Sequence, residues 1–404
     1  MTRDPELSPP APRAVRPFAI DVLVAFGLAL GSCSAQGLGR FAYGLLLPSM
    51  SSALDWSFAT AGLMNTANAL GYLLGALLAA PLGRRAHPRR LFLGGLIATG
   101  LLMLASASTG NVVVLFALRL LTGTSGAVAF VIGGVLATRF GQGSTGGRPA
   151  VLLGIYFSGG GLGVLLSGLA LPPVLHGAPP ESAWRWGWVV LGLLATASVL
   201  LVLPAARRTP VPPPAPDGER FSPGPLLATL AAYGLFGVGY IAYMTFIGAY
   251  LEARGASSGE ISAFWSLLGA SAIAGGFAWG PMLARWRGGR ALAVLLVVLA
   301  AGAGLPLLST GVLAEFASAV LFGCSFLSVV TAVTTTARNA LPPHRWAGAI
   351  GALTAVFAAG QCAGPVLAGA LSDGGGITAG LLMSVGVLAV AAVVALAQPA
   401  ARTT

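Results

Sequence analysis

The sequence predicts an all-α polytopic membrane protein, with twelve transmembrane helices in two pseudo-symmetric six-helix bundles. Three observations carry that prediction. The 404 residues are 56% hydrophobic and only 8% charged, with a mean hydropathy of +0.86. A soluble chain carries roughly 25% charged residues, so much of this surface must face something other than water. Apolar runs of about 20 residues, the length that spans a bilayer, recur along the chain. Finally, arginines alternate in density between successive connections, and the chain matches itself at a constant offset of 200 residues.

Residues 1–17 (MTRDPELSPPAPRAVRP) form a polar, proline-rich tail. The first span, 18–47, is too long for a removable signal peptide, and its flank lacks a clear cleavage site. Spans follow at 59–81, 91–108, 111–137, 150–172 and 186–203, so that 18–204 forms a first bundle. The stretch 205–224 (AARRTPVPPPAPDGERFSPG) is too proline-dense to be helical and stays extended, a linker between bundles. A second set at 225–250, 261–283, 291–308, 312–336, 347–371 and 376–398 gives a second bundle over 225–398, and 399–404 is a short tail.

Every basic residue among the 22 counted is arginine, which with the Ala- and Gly-rich composition points to a GC-rich genome. Eighteen arginines lie on the termini and one set of alternate connections, Arg84, Arg85, Arg89 and Arg90 among them. The other set holds two, Arg185 and Arg254, while Arg40 and Arg119 lie within spans. By the positive-inside rule both termini are cytoplasmic, and the expected location is a bacterial cytoplasmic membrane. The net charge of +11 is spread over short loops, which excludes a nucleic-acid surface. The expected partners are the lipid bilayer and a small-molecule substrate, with the chain acting as a monomer. Cys33, Cys324 and Cys362 lie in apolar segments without metal-ligand spacing, and the three histidines are scattered. No phosphate-binding glycine loop and no nucleophile–base pair is present, so neither a cofactor nor an enzymatic activity is expected.

The internal match needs no gaps. GLGRFAY at 37–43 lies over GVGYIAY at 237–243; Pro81, Arg85 and Arg90 lie over Pro281, Arg285 and Arg290; Gly123 lies over Gly323; Phe157 and Gly160 lie over Phe357 and Gly360. Such a parallel repeat places the halves about an axis along the membrane normal, with a cavity between them. Arg40 corresponds to Tyr240 and Arg119 to Ala319, so both buried charges belong to the first half. The cavity is expected to be electrically lopsided.

The architecture and ALRLLTGTSGA (117–127) resemble the major facilitator superfamily, whose fourth helix often carries an arginine four residues before a glycine, as Arg119 and Gly123 do. PLGRRAHPRRL (81–91) occupies the place of that superfamily's basic loop motif but lacks its aspartate. More narrowly, the chain resembles the YbfB/YjiJ-like branch in five segments: GLGRFAYGLLLPSM (37–50), GYLLGAL (71–77), GIYFSGGGLGVLLSGL (154–169), AYGLFGVGYIAYMTF (232–246) and GQCAGPVLAGAL (360–371). The resemblance implies secondary transport of a small molecule by alternating access.

Polar groups within a membrane face protein or a wet cavity, because lipid cannot satisfy them. On the first span Ser32, Gln36, Arg40 and Tyr43 share one face, and on the fourth Arg119, Thr122 and Gly126 do the same. Both arginines are expected roughly 10–12 Å below the outer ends of their spans. Asn65, Asn68, Tyr240, Tyr243 and Gln361 fall in the same layer, and Glu315 is the carboxylate nearest to it. Arg40 reads as an anion-binding group, since its planar fork can hold a carboxylate or phosphate, or as a structural charge bonded to carbonyls. For Arg119 the superfamily resemblance implies a structural or proton-handling role first, and a second substrate contact otherwise. Tyr240 and Tyr243 divide between packing and ligand contact; Asn65, Asn68 and Gln361 between helix–helix bonds and the cavity. The glycines of the fifth span (Gly159, Gly160, Gly161, Gly163), with Gly364 and Pro365 of the eleventh, read as close packing on rocking helices.

Coupling has three readings. Glu315 titrates, or the substrate brings its own proton, or the carrier exchanges anions, because arginine does not titrate in the working range. Glu315 is also a candidate gate with Arg40 or Arg119. The first functional expectation is a carrier of small organic anions such as carboxylates. Alternatives are a multidrug-type exporter of amphipathic or cationic compounds and, from another class, a membrane sensor on a transporter-like fold.

Overall fold

The computed structural model describes residues 18–138, 148–210, 222–309 and 311–400. The predicted tail 1–17, most of the linker and the last residues lie outside them. Among the described residues, twelve helices are long and apolar enough to cross a membrane. They are α1 Phe18–Leu54, α2 Phe58–Arg85, α3 Pro88–Ser106, α4 Val112–Ala137, α5 Val151–Gly177, α6 Pro180–Arg208, α7 Gly224–Ala253, α8 Ser258–Ala278, α9 Arg290–Leu308, α10 Val312–Ala340, α11 Gly348–Gly375 and α12 Ile377–Leu396.

Several boundaries differ from the sequence reading for local reasons. α1 runs past Pro48 and stops at Asp55, whose backbone turns left-handed (φ 52°) and returns its N–H to Ser51. Ser57 then caps α2 by accepting from the Thr60 N–H. α6 starts early, with Pro180 in its first turn, where a missing N–H costs nothing. It also continues to Arg208, into the stretch read as extended. The eighth span breaks at Trp279, and Pro281 starts a separate short helix, Gly280–Arg285.

The repeat is visible in the packing. Small residues let helix backbones approach closely in a membrane, where no hydrophobic force drives helices together. A methyl at Gly75 would collide with the Thr124 carbonyl; 200 residues on, one at Gly275 would collide with that of Cys324. Gly123 meets the Asn68 carbonyl as Gly323 meets that of Leu268. Thus α2–α4 and α8–α10 are one contact built twice. α1–α5 and α7–α11 form a second pair, with Gly37 against Gly163 and Gly237 against the Phe357 carbonyl.

The halves meet along three seams: α1 with α7, α2 with α11, and α5 with α8. A methyl on Gly248 would stand 2.7 Å from the Gly44 carbonyl, and Gly62 backs directly onto that of Pro365. Hydrogen bonds join the halves from mid-depth to the predicted outer end. Thr66 Oγ1 donates to the Cys362 carbonyl (2.8 Å), Asn65 Nδ2 to Thr245 Oγ1 (2.6 Å) and Ser262 Oγ to the Gly168 carbonyl (2.7 Å). At that end the Asp373 carboxylate of α11 accepts from the N–H groups of Phe58 and Ala59 (2.7 and 3.0 Å), capping a helix of the opposite half.

Candidate functional site

Arg40 owes its position to an irregular stretch of α1. Residues Cys33–Phe41 wind as a π-helix, closed by the bond from the Ala42 N–H to the Gly37 carbonyl (2.9 Å). Widened turns of this kind are frequent at functional sites. Gly39 within it leaves room for Thr99 of α3, 3.2 Å from where a methyl would stand, and its carbonyl accepts from Arg119 Nη1 (3.0 Å) and more weakly from Asn68 Nδ2 (3.4 Å).

The predicted polar layer therefore divides into two groups. The first is knit inside the first half. The Arg119 guanidinium lies over the rings of Tyr43 (4.8 Å) and Trp188 (5.3 Å). Tyr43 donates to the Ala61 carbonyl (2.8 Å), and Asn68 donates also to the Arg119 carbonyl (3.2 Å). These contacts join α1, α2, α4 and α6.

The second group faces the opposite half. Arg40 is only 3% exposed and its guanidinium rests on the Tyr72 ring of α2 at 4.6 Å. Its Nε and Nη2 are buried without a hydrogen-bond partner. Its charge reaches Tyr233 and Tyr240 of α7 and Cys362 of α11, and the adjacent Phe41 meets Phe326 of α10 edge-on at 5.7 Å, which sets Arg40 beside the seam. Gln36, one turn earlier, is buried on the same face. Across the seam Gln361 donates through Nε2 to the Tyr240 hydroxyl, and its Oε1 is buried without a partner. A cation–π contact is worth about 0.5–2 kcal/mol, whereas each unmet buried donor costs about 1–3 kcal/mol, more when charged. Tyr72 alone leaves Arg40 under-compensated.

The remaining predicted residues lie elsewhere. Tyr243 bonds Ser318 (2.6 Å) and stacks on Phe322 at 4.1 Å, inside the second half. Asn65 joins the halves through Thr245. Glu315 is 7% exposed and feels the charges of Arg254 and Glu260. It does not meet Arg40 or Arg119, because it occupies the first turn of α10, near the end of α7. Arg254 is itself held by the Tyr250 hydroxyl (2.9 Å) and the Pro306 carbonyl (3.1 Å).

Sequence reasoning missed Tyr72 and Tyr233. Tyr72 continues the Asn65, Asn68 face at the next turn, and Tyr233 precedes Tyr240 by two turns, so helical spacing could have found both. A separate cavity of about 350 Å³ opens toward the predicted outer end; Ser49, Ser52, His176, Glu252 and Ile261 help to line it.

Comparison with known proteins agrees with this architecture. The profile of a family described as "Uncharacterised MFS-type transporter YbfB" matches residues 32–396. A chloramphenicol resistance protein of Streptomyces lividans is 32% identical over 191 residues, a match covering 45% of either chain, so it spans about half the length of that relative. Among solved structures, a bacterial homolog of the human lysosomal transporter Spinster, inward-facing and unoccupied, superposes with a TM-score of 0.70 at 15% identity, covering 95% of this chain and 97% of that one. The nucleoside transporter NupG does so with a TM-score of 0.68 at 12% identity, covering 95% and 98%. At such identities the likeness is one of fold.

Proposed function

Because this chain belongs to the YbfB-type family of major facilitator superfamily transporters, we propose that it carries a small organic anion across the bacterial cytoplasmic membrane by alternating access, with Arg40 as the anion contact. One observation supports this above all: Arg40 is a buried guanidinium beside the seam with Nε and Nη2 unpartnered, whereas Arg119, which shares that lack, is tied by Nη1 to the Gly39 carbonyl inside its own half. A carboxylate offers two oxygens in the plane of that fork. Gln36, Tyr240 and Gln361 stand around it as the neutral contacts, while Arg119, with Tyr43 and Asn68, is a positioning group that holds α1 through the Gly39 carbonyl. The arginine distribution supports an orientation with both termini cytoplasmic.

The reading is tested by thermal unfolding of the purified chain in detergent against organic anions, cations and neutral amphiphiles, for wild type and Arg40→Gln. A ligand that prefers the folded state raises apparent stability by mass action, about 2.7 kcal/mol at a hundredfold excess over Kd. Selected anions should stabilise wild type and leave the variant unmoved. The second reading, export of amphipathic compounds, is favoured by the chloramphenicol resistance relative. Equal stabilisation of both proteins by cations or neutral amphiphiles would replace the first reading with this one.

A further inference from the structure

The surroundings of Arg40 are aromatic rather than aliphatic. On its own half Tyr72 lies under the guanidinium at 4.6 Å. Opposite, a run of near-parallel rings lines the seam face of α7, α10 and α11. Tyr233 stacks on Phe357 at 4.5 Å and 6°, Phe236 on Tyr240 at 4.7 Å and 18°, and Tyr240 on Phe357 at 5.6 Å and 15°. Phe326 extends the run from Tyr240 at 6.3 Å and 15°, and Phe41 of α1 meets Phe326 edge-on at 5.7 Å. The hydroxyl of Tyr72 lies within electrostatic reach of those of Tyr233 and Tyr240. The charged fork thus stands between one ring on the first half and a stack on the second.

We propose that the ligand is a planar aromatic anion, a ring bearing a carboxylate on Arg40 and a hydrogen-bond donor on the Gln361 Oε1. This rests on the anion reading above and adds the ring. Its plane would enter between Tyr72 and the Tyr240–Phe357 stack, continuing the run of parallel faces across the seam. Aromatic pairs favour such offset stacking, a preference that a puckered aliphatic ring of equal size does not share. The unmatched carbonyl of Gln361 can accept but not donate, so a hydroxyl, amino or ring N–H substituent gains a partner there. Tyr240, which fixes Gln361 from the other side, occupies the repeat position of Arg40 itself. The two halves therefore supply opposite needs of one ligand: a cation for its charge and a ring surface for its plane.

The test measures binding to the full chain in detergent by calorimetry, with benzoate, 4-hydroxybenzoate, cyclohexanecarboxylate, hexanoate and neutral benzamide. Benzoate is expected to bind about tenfold more tightly than cyclohexanecarboxylate, and 4-hydroxybenzoate more tightly still. Phe357→Leu should erase the preference for benzoate while retaining weak binding of all carboxylates. Arg40→Gln should abolish carboxylate binding altogether. If cyclohexanecarboxylate and hexanoate match benzoate in wild type, the aromatic proposal fails and the anion reading stands. If benzamide matches benzoate, or if no carboxylate binds, the anion reading fails and takes the proposal with it. The wild-type series decides even if Phe357→Leu does not fold.

Discussion

Arg40 and Arg119 lie close enough to feel each other's charge, yet they meet different surroundings. Nε and Nη2 are buried without a partner in both, but Arg119 has besides them a carbonyl on Nη1 and two ring faces, whereas Arg40 has a single ring face. Their substitutions should therefore differ in sign. Arg119→Gln removes the bond to Gly39 and should lower stability by about 1–3 kcal/mol, read as a fall in the apparent melting temperature. Arg40→Gln removes an under-compensated buried charge and should leave the ligand-free protein equally or more stable. The sequence revealed which residues are polar and at what depth, but less of how each is rotated. Depth alone puts Tyr243 in one layer with Tyr240, and packing turns its hydroxyl to Ser318. A helix apolar on nearly all sides carries little periodic signal to fix that rotation.

At the scale of elements, the seams combine close glycine–carbonyl contact with few directional bonds. Gly62 against the Pro365 carbonyl is the tightest expression of this between α2 and α11. Gly62→Val should wedge that seam apart, releasing Asp373 from the start of α2. Spin labels at Leu63→Cys of α2 and Leu371→Cys of α11, both exposed and measured by pulsed electron resonance, should show a longer mean distance with the valine than without it; an unchanged distance would mean that the seam yields elsewhere. Some elements were legible in advance. Most spans begin and end within a few residues of their predicted places, whereas the eighth, expected to run unbroken over 261–283, is interrupted at Gly280 and Pro281. The π-helical stretch of α1 was not legible, because the packing around it comes from outside the segment: α5 crowds Gly37, and Thr99 of α3 stands 3.2 Å from where a methyl on Gly39 would lie.

At the scale of the whole molecule, duplication was the most legible feature, because each copy must solve the same packing problem with the same small residues. Gly123 and Gly323 show this, each set against the carbonyl of residues 200 apart, Asn68 and Leu268. The departures from symmetry matter more for transport. Any carrier that alternates must pass through an occluded intermediate, sealed on both sides. Without cargo, that intermediate shuts Arg40 away from water with Nε and Nη2 unmet, and an uncompensated buried ion costs several kcal/mol even after relaxation. With an anion in place the same closure seals in a neutral pair. The empty protein should therefore turn over slowly and the loaded one quickly. Liposomes preloaded with substrate should take up labelled substrate about tenfold faster than empty ones, each 1.4 kcal/mol in the barrier being worth one such factor. The lone charge at the seam would then act as a kinetic ratchet that ties each return stroke to the arrival of a second passenger.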